Sequence, residues 1–403
     1  MKVVFLSNLL TPHQIPFCNS MSNLVDEFLF IQENQTGASW EAKGETIRRI
    51  DYPYLHFLQE EPDFCRKKIL EADVVIIGSV DLAVIHERLK SGKLVFVFLE
   101  RFYKKGISLK NIVRVVGGTF LHHGRFQKHA PYLLCASGYC AGDAAIFGNY
   151  RERTLKWGYF PETYDADVSQ LIENKKETSI AWAGRLLDWK HPDDMLLAAQ
   201  KLKDRGYSFQ LKLLGDGPMR NELEAMIDKY SLADCVTLYG NVPNEVVRRE
   251  MMNASMFVAT SDYGEGWGCV VNEAMNSACA VVASHAMGSA PFLIKDGENG
   301  FVYESGNVEE LSDLCARLLA SPQLCREIGV RAYEAISLLW NAQTAAERLC
   351  RVFQTLLDKK ALSFEETGPC SYAEPVKQKI MYARMTYASR KQKDFDDHNP
   401  LSK

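Results

Sequence analysis

The stretch Ser179–Arg220, "SIAWAGRLLDWKHPDDMLLAAQKLKDRGYSFQLKLLGDGPMR", holds the pattern that decides the fold. It opens on an apolar run, Ile180–Ala183, that reads as a strand. A helix-period segment, Asp193–Arg205, follows Pro192, a residue suited to the first helical position. A second apolar run, Phe209–Leu214, ends in the glycine loop "GDGP". Strands apolar on both faces with a helix between them argue for a parallel βαβ unit.

The same alternation extends in both directions. Downstream, strands are expected at Val236–Tyr239, Met256–Thr260 and Ala280–Ser284, with helices at Asn244–Met252, Cys269–Asn276, Val308–Leu319 and Pro322–Leu338. Upstream, strands are expected at Val3–Ser7, Phe28–Gln32, Val74–Gly78, Leu94–Leu99 and Tyr132–Ala136, with helices such as Asp63–Ala72 and Leu82–Lys90. The expected class is α/β, with two doubly wound Rossmann-like domains facing across a cleft. Ligands of such sheets bind at the carboxyl ends of the strands. The expected divisions are a domain over 1–165, a linker over 166–179 and a second domain over 180–335. A helix over 336–360 crosses back, and 361–403 forms a polar, basic tail.

Bulk properties exclude several classes. The 403 residues are 47% apolar and 24% charged with net charge −4, an ordinary soluble composition with no general pull toward nucleic acid. Eleven cysteines include no C-x-x-C pair, so neither a zinc knuckle nor a disulfide frame is indicated, and a reducing cytosol is expected. The opening "MKVVFLSNLLTPHQ" reads as a buried strand rather than a signal peptide, because polar residues break its apolar run. No stretch reaches the roughly 18 apolar residues of a membrane span. Between Val376 and Lys393 lie six basic residues and no acid. That segment reads first as a solvated tail and second as a peripheral membrane contact.

Residues with chemistry gather at the second domain's strand ends. Gly184, Arg185 and Lys190 follow its first strand, and Gly215 follows the second. Asn241 and Val242 lie in "GNV" after the third. After the fourth comes "GEGWG", Gly264–Gly268, which encloses Glu265 and leads to the helix bearing Glu273. Each part alone has an ordinary reading: surface cations, a turn, or an acid complementing a helix dipole. Together, two cations, glycine-loop amides and helix N-termini make an anion site suited to a diphosphate.

This ordered set of "GRLLDWK", "GDGP", "GNV", Glu265 with Glu273, and "IKDGENGFVY" resembles the retaining GT-B glycosyltransferases of family 4 (glycosyl transferases group 1) over Ile180–Leu357. The resemblance implies that Arg185 and Lys190 bind the diphosphate of a nucleotide sugar. It implies that Glu273 holds the ribose hydroxyls, that Glu265 contacts the transferred sugar and that the Gly266-Trp267-Gly268 backbone faces sugar and phosphate. The N-terminal half departs from the family pattern. It has no glycine in "SNLLTPHQIPF", and Glu100 stands where a histidine is usual. Its acceptor-side candidates are His13, Glu100 and His122.

The expected activity is sugar transfer from a nucleotide-diphosphate donor to a glycan or lipid-linked acceptor, with retention and without a metal or other cofactor. Neither "DAD", Asp165–Asp167, nor "DFD", Asp394–Asp396, falls at a strand end, so both read as solvated turns. The alternative is a nucleotide-sugar epimerase or hydrolase of the same fold. A nicotinamide dehydrogenase would need a sound G-x-G-x-x-G, and Arg220 stands at the third glycine position of "GDGPMR".

Overall fold

Apolar runs too short for helices have one economical use, which is to lie side by side with both faces covered. The computed structural model describes residues 1–33, 52–104, 107 and 111–376, and it has two such sheets. The chain divides into two compact units. The first comprises Met1–Phe102, the span up to Glu162, and a return that begins at Leu339. The second is built on the uninterrupted run Thr163–Leu338.

The first sheet holds β1 (Lys2–Ser7), β2 (Glu27–Gln32), β3 (Leu55–Phe57), β4 (Val74–Gly78), β5 (Leu94–Leu99), β6 (Tyr132–Cys135) and β7 (Thr154–Lys156). Its order is β3-β2-β1-β4-β5-β6-β7, parallel throughout. The second sheet holds β8 (Lys176–Ala183), β9 (Gln210–Leu214), β10 (Val236–Gly240), β11 (Ala254–Ala259), β12 (Ala280–Ser284) and β13 (Phe301–Tyr303). Its order is β10-β9-β8-β11-β12-β13, again parallel. In each sheet the winding reverses beside the first strand, the place where open α/β sheets form their binding crevices. Trp182, Leu196, Leu213, Val258, Val282 and Phe301 form part of the second unit's core.

Two segments differ from the sequence expectation. The linker expected over 166–179 is structured: a helix spans Val168–Glu173 and β8 begins at Lys176. Asp167 of the "DAD" run caps that helix, accepting from the amides of Ser169 at 2.9 Å and Gln170 at 3.4 Å. Its carboxylate thus satisfies backbone donors that a helix start leaves open.

The tail expected from 361 also begins later. Tyr372 pairs antiparallel with Leu155 of β7, and the Lys156 amide donates to Ser371 O at 2.8 Å. The Ala373 amide donates to Thr154 O at 3.1 Å, and Cys370, Ser371 and Ala373 are buried. An exposed edge strand is a template for mispairing, and this return covers it. The segment after Val376 with its basic run, like "DFD", lies outside the described residues. The helix Ala342–Leu357 packs on helix Ile15–Leu24, and its Phe353 meets Phe96 of β5 with ring centroids 4.9 Å apart.

Candidate functional site

The loops that leave β8 and β11 part at the winding reversal of the second unit, and hydrogen bonds stitch them together. Thr260, just past β11, accepts from Trp182 Nε1 at 2.8 Å and donates to Lys190 O at 2.6 Å. The Asp262 amide donates to Trp189 O at 2.9 Å. The Asp262 carboxylate accepts from the Gly264 amide at 2.6 Å and lies 3.4 Å from His191 Nε2. A Cβ at Gly264 would come within 2.9 Å of that carboxylate and 3.3 Å of Trp189 Cβ, so glycine is what lets the loops close.

This stitching delivers Lys190 to Glu265. Lys190 Nζ donates to Glu265 Oε2 at 2.6 Å, with the side chains 16% and 15% exposed. Ser261 Oγ adds a bond to the same oxygen at 3.3 Å, and Lys190 Nζ lies 4.8 Å from the centroid of the Trp189 ring. The two residues expected to act on opposite halves of a ligand therefore hold one another. Arg185 is exposed at the end of β8 and takes no part in this pair.

Beyond the loop the chain enters helix Cys269–Asn276 through Gly268, whose φ of +88° is left-handed. A Cβ there would stand 2.5 Å from Met287 Cε. Trp267 is 1% exposed, and its indole donates to Asn272 Oδ1 at 2.8 Å. Its ring anchors the loop, which leaves only its backbone to face a ligand.

Glu273 does not fit the dipole reading. The first turn of its helix holds no acid, and Glu273 lies in the second, toward the end that favours cations. Its side chain is partly buried, and burial alone pushes its carboxyl up to about 7 from the usual 4.5. No hydrogen bond or ion pair relieves it among the described residues. An enclosed acid of this kind suits hydroxyl donors brought by a ligand.

The remaining glycines knit the neighbouring loops. The Gly184 amide donates to Leu214 O and the Gly215 amide to Gly240 O, both at 2.9 Å. A Cβ at Gly215 would lie 2.0 Å from Gly184 O. Gly215→Ala should therefore destabilise the fold by about 1–3 kcal/mol, the usual cost of overpacking, read as a lower urea midpoint. An unchanged midpoint would mean that the glycine serves a ligand instead. Asn241 is exposed and Val242 half-buried after β10.

Sequence reading missed Asp262, His191 and the pinning of Tyr263. An imidazole nitrogen of His191 and the carboxylates of Asp193 and Asp194 offer ligand atoms within 4.8 Å of one another, all three residues buried. Pro192 opens the helix there, so both acids sit in its first turn, where the dipole favours them. Tyr263 Oη meets His285 Nε2 at 2.8 Å, and His285 Nδ1 accepts from the Ser305 amide at 2.9 Å. Burial lowers the imidazole's pKa, which suits this neutral tautomer.

Of the first-unit candidates, Glu100 accepts from Tyr159 Oη at 2.9 Å and His122 pairs with Asp81 at 2.8 Å. His13 receives the Phe160 amide on its carbonyl at 3.3 Å.

Residues 164–335 match the family model described as glycosyl transferases group 1. The chain is similar to alpha-D-kanosaminyltransferase of Streptomyces kanamyceticus, 28% identical over 177 residues that cover 44% of this chain and 45% of that protein. It is similar to D-inositol 3-phosphate glycosyltransferase of Streptomyces griseus, 30% identical over 186 residues, 44% of this chain and 39% of the relative. The chain thus spans less than half the length of these curated relatives. HepE of Anabaena, solved in complex with UDP, has a TM-score of 0.66 at 18% identity, over 88% of this chain and 100% of that one. That likeness concerns the fold, the GT-B class of two doubly wound units. The likeness to the glycosyl transferases group 1 thus lies in residues 164–335, less than half of the chain.

Proposed function

We propose that the chain transfers a sugar from a nucleoside-diphosphate donor to a glycan or lipid-linked acceptor, with retention at the anomeric carbon. One observation carries this reading. Lys190 meets Glu265 at 2.6 Å where the loops part, and that loop enters the helix with the unpartnered carboxyl of Glu273. A cation, a movable acid and a hydroxyl acceptor are what a sugar diphosphate needs.

An entering diphosphate competes with Glu265 for the Lys190 ammonium, and the freed carboxylate turns to the sugar. Cleavage of the anomeric C–O bond puts positive charge on the sugar and negative charge on the departing diphosphate. Lys190, Arg185 and the loop amides face the second charge, and Glu265 faces the first. Preorganised groups of this kind are worth about 2.7–4 kcal/mol each. The acceptor hydroxyl attacks from the leaving-group face and passes its proton to the departing diphosphate, and its recognition falls to the first unit, with His13, Glu100 and His122 as candidates. The eleven cysteines are free thiols, which supports work in the reducing cytosol.

Incubation with a panel of nucleotide sugars, followed by product analysis with and without acceptor, tests the activity. Absence of both transfer and donor hydrolysis across the panel would overturn it. The cations make a metal unnecessary, so activity should survive excess EDTA. Loss on chelation with recovery on manganese would overturn the metal-free reading.

A further inference from the structure

The first unit presents a helix, Ile112–His122, whose apolar stripe faces solvent. Val113, Val116, Gly117 and Phe120 recur at the i, i+3, i+4, i+7 spacing that normally faces a core. Here Val113 is 84% exposed, Phe120 61% and Leu121 52%, while Thr119 is the helix's buried residue. Added Cβ atoms at Gly117 and Gly118 would meet nothing within 4 Å. An apolar patch of this density on an exposed helix marks an interaction surface.

Charge says what kind. From Phe102 to Gly142 the sequence holds six Lys or Arg and no Asp or Glu, while Arg101 just before it is buried against Asp143. Arg114, Arg125 and Lys128 are exposed on or beside the helix. Arg125 stacks over Phe126 at 4.5 Å from the ring centroid. Asp81 beside this helix pairs with His122 at 2.8 Å and also feels the charge of Arg125. A solvent-facing apolar stripe ringed by cations fits the interface of an anionic bilayer. Apolar side chains enter the acyl boundary, and nearby cations are attracted to anionic lipid. No helix among the described residues is long and apolar enough to cross a membrane, so the contact is peripheral.

We infer that the helix Ile112–His122 docks the first unit on an anionic membrane surface through Val113, Val116, Phe120 and Leu121, with Arg114 and Arg125 on the headgroups. This goes beyond the proposed activity and does not depend on it. A lipid-linked acceptor would then be met in the plane of the bilayer.

The test is sedimentation of the full chain with vesicles of phosphatidylglycerol and phosphatidylcholine, beside vesicles of phosphatidylcholine alone. The wild-type chain should pellet with the anionic vesicles, less so in 0.5 M salt. Val113→Asp with Phe120→Asp should cut that partition by more than about tenfold. Both side chains are exposed, so thermal unfolding and donor hydrolysis in solution should stay unchanged. In a second variant, Phe120→Trp, the added emission should shift to the blue on anionic vesicles. Three results would overturn the inference: no binding by the wild-type chain, undiminished binding by the double variant, or self-association that the variant abolishes without any vesicle binding. Donor hydrolysis is scored separately, so failure here and failure of the transferase reading are told apart.

Discussion

Lys190→Ala should lower kcat by roughly 10²–10³, the usual effect of losing one preorganised charge-stabilising group. Lys190 holds Glu265 at 2.6 Å in the free protein, so the change also leaves an unpaired, mostly buried carboxylate. The two effects separate in a double-mutant cycle. If Lys190 and Glu265 act as a unit, Lys190→Ala with Glu265→Gln should be little slower than the worse single variant. Glu265→Gln alone should lower kcat while affinity for the free nucleoside diphosphate stays almost unchanged. A raised KM with normal kcat for Lys190→Ala would mean that the lysine binds ground and transition states alike.

Glu273→Gln should make the free protein more stable and its nucleotide binding weaker. The folded carboxyl titrates near 7 against about 4.5 unperturbed, because burial disfavours its charge. A raised acid costs nothing below pH 4.5, where both states hold the proton. Its penalty grows as pH rises from 4.5 to 7 and is complete above that. At about 1.4 kcal/mol per unit, the amide should gain up to about 3 kcal/mol at pH 8 and nothing near pH 4. Urea unfolding of both proteins at the two pH values measures this. Donated ribose hydroxyls favour the ionised acid, so the wild-type protein should bind more weakly as pH falls below 7. The amide should lose about 1.5–3 kcal/mol of binding, the worth of a charged hydrogen bond. Equal stability of both proteins at pH 8 would show that the enclosed charge is relieved by something else.

Local pattern made much of the fold legible. Val74–Gly78, Leu94–Leu99, Ala280–Ser284 and the helix Cys269–Asn276 have the bounds expected from apolar runs and turn residues. The three-residue strands β3, β7 and β13 were not legible, since three residues show no period. The covered edge of β7 was hidden because Tyr372 pairs with Leu155, more than two hundred residues earlier. At the candidate site, residue types could be read but not relations. Nothing in the order of residues says that Lys190 will hold Glu265, 75 positions away. Nor does it say that the Glu273 carboxyl will be enclosed with no hydrogen bond or ion pair among the described residues.

The late return of the chain to β7 also sets an order of events during synthesis. The second unit is built on one continuous run and can form as soon as Leu338 has emerged. The first unit must wait for the helix Ala342–Leu357 and the segment around Tyr372, although most of its strands are made first. At about 5–20 residues per second, translation from Thr163 to Ala373 takes roughly 10–40 s. For that interval β7 is an open edge and Phe96 lacks the Phe353 that covers it. A nascent chain of this protein is thus more exposed to aggregation in its first unit than in its second, and a chaperone holding the first unit would have to let go last.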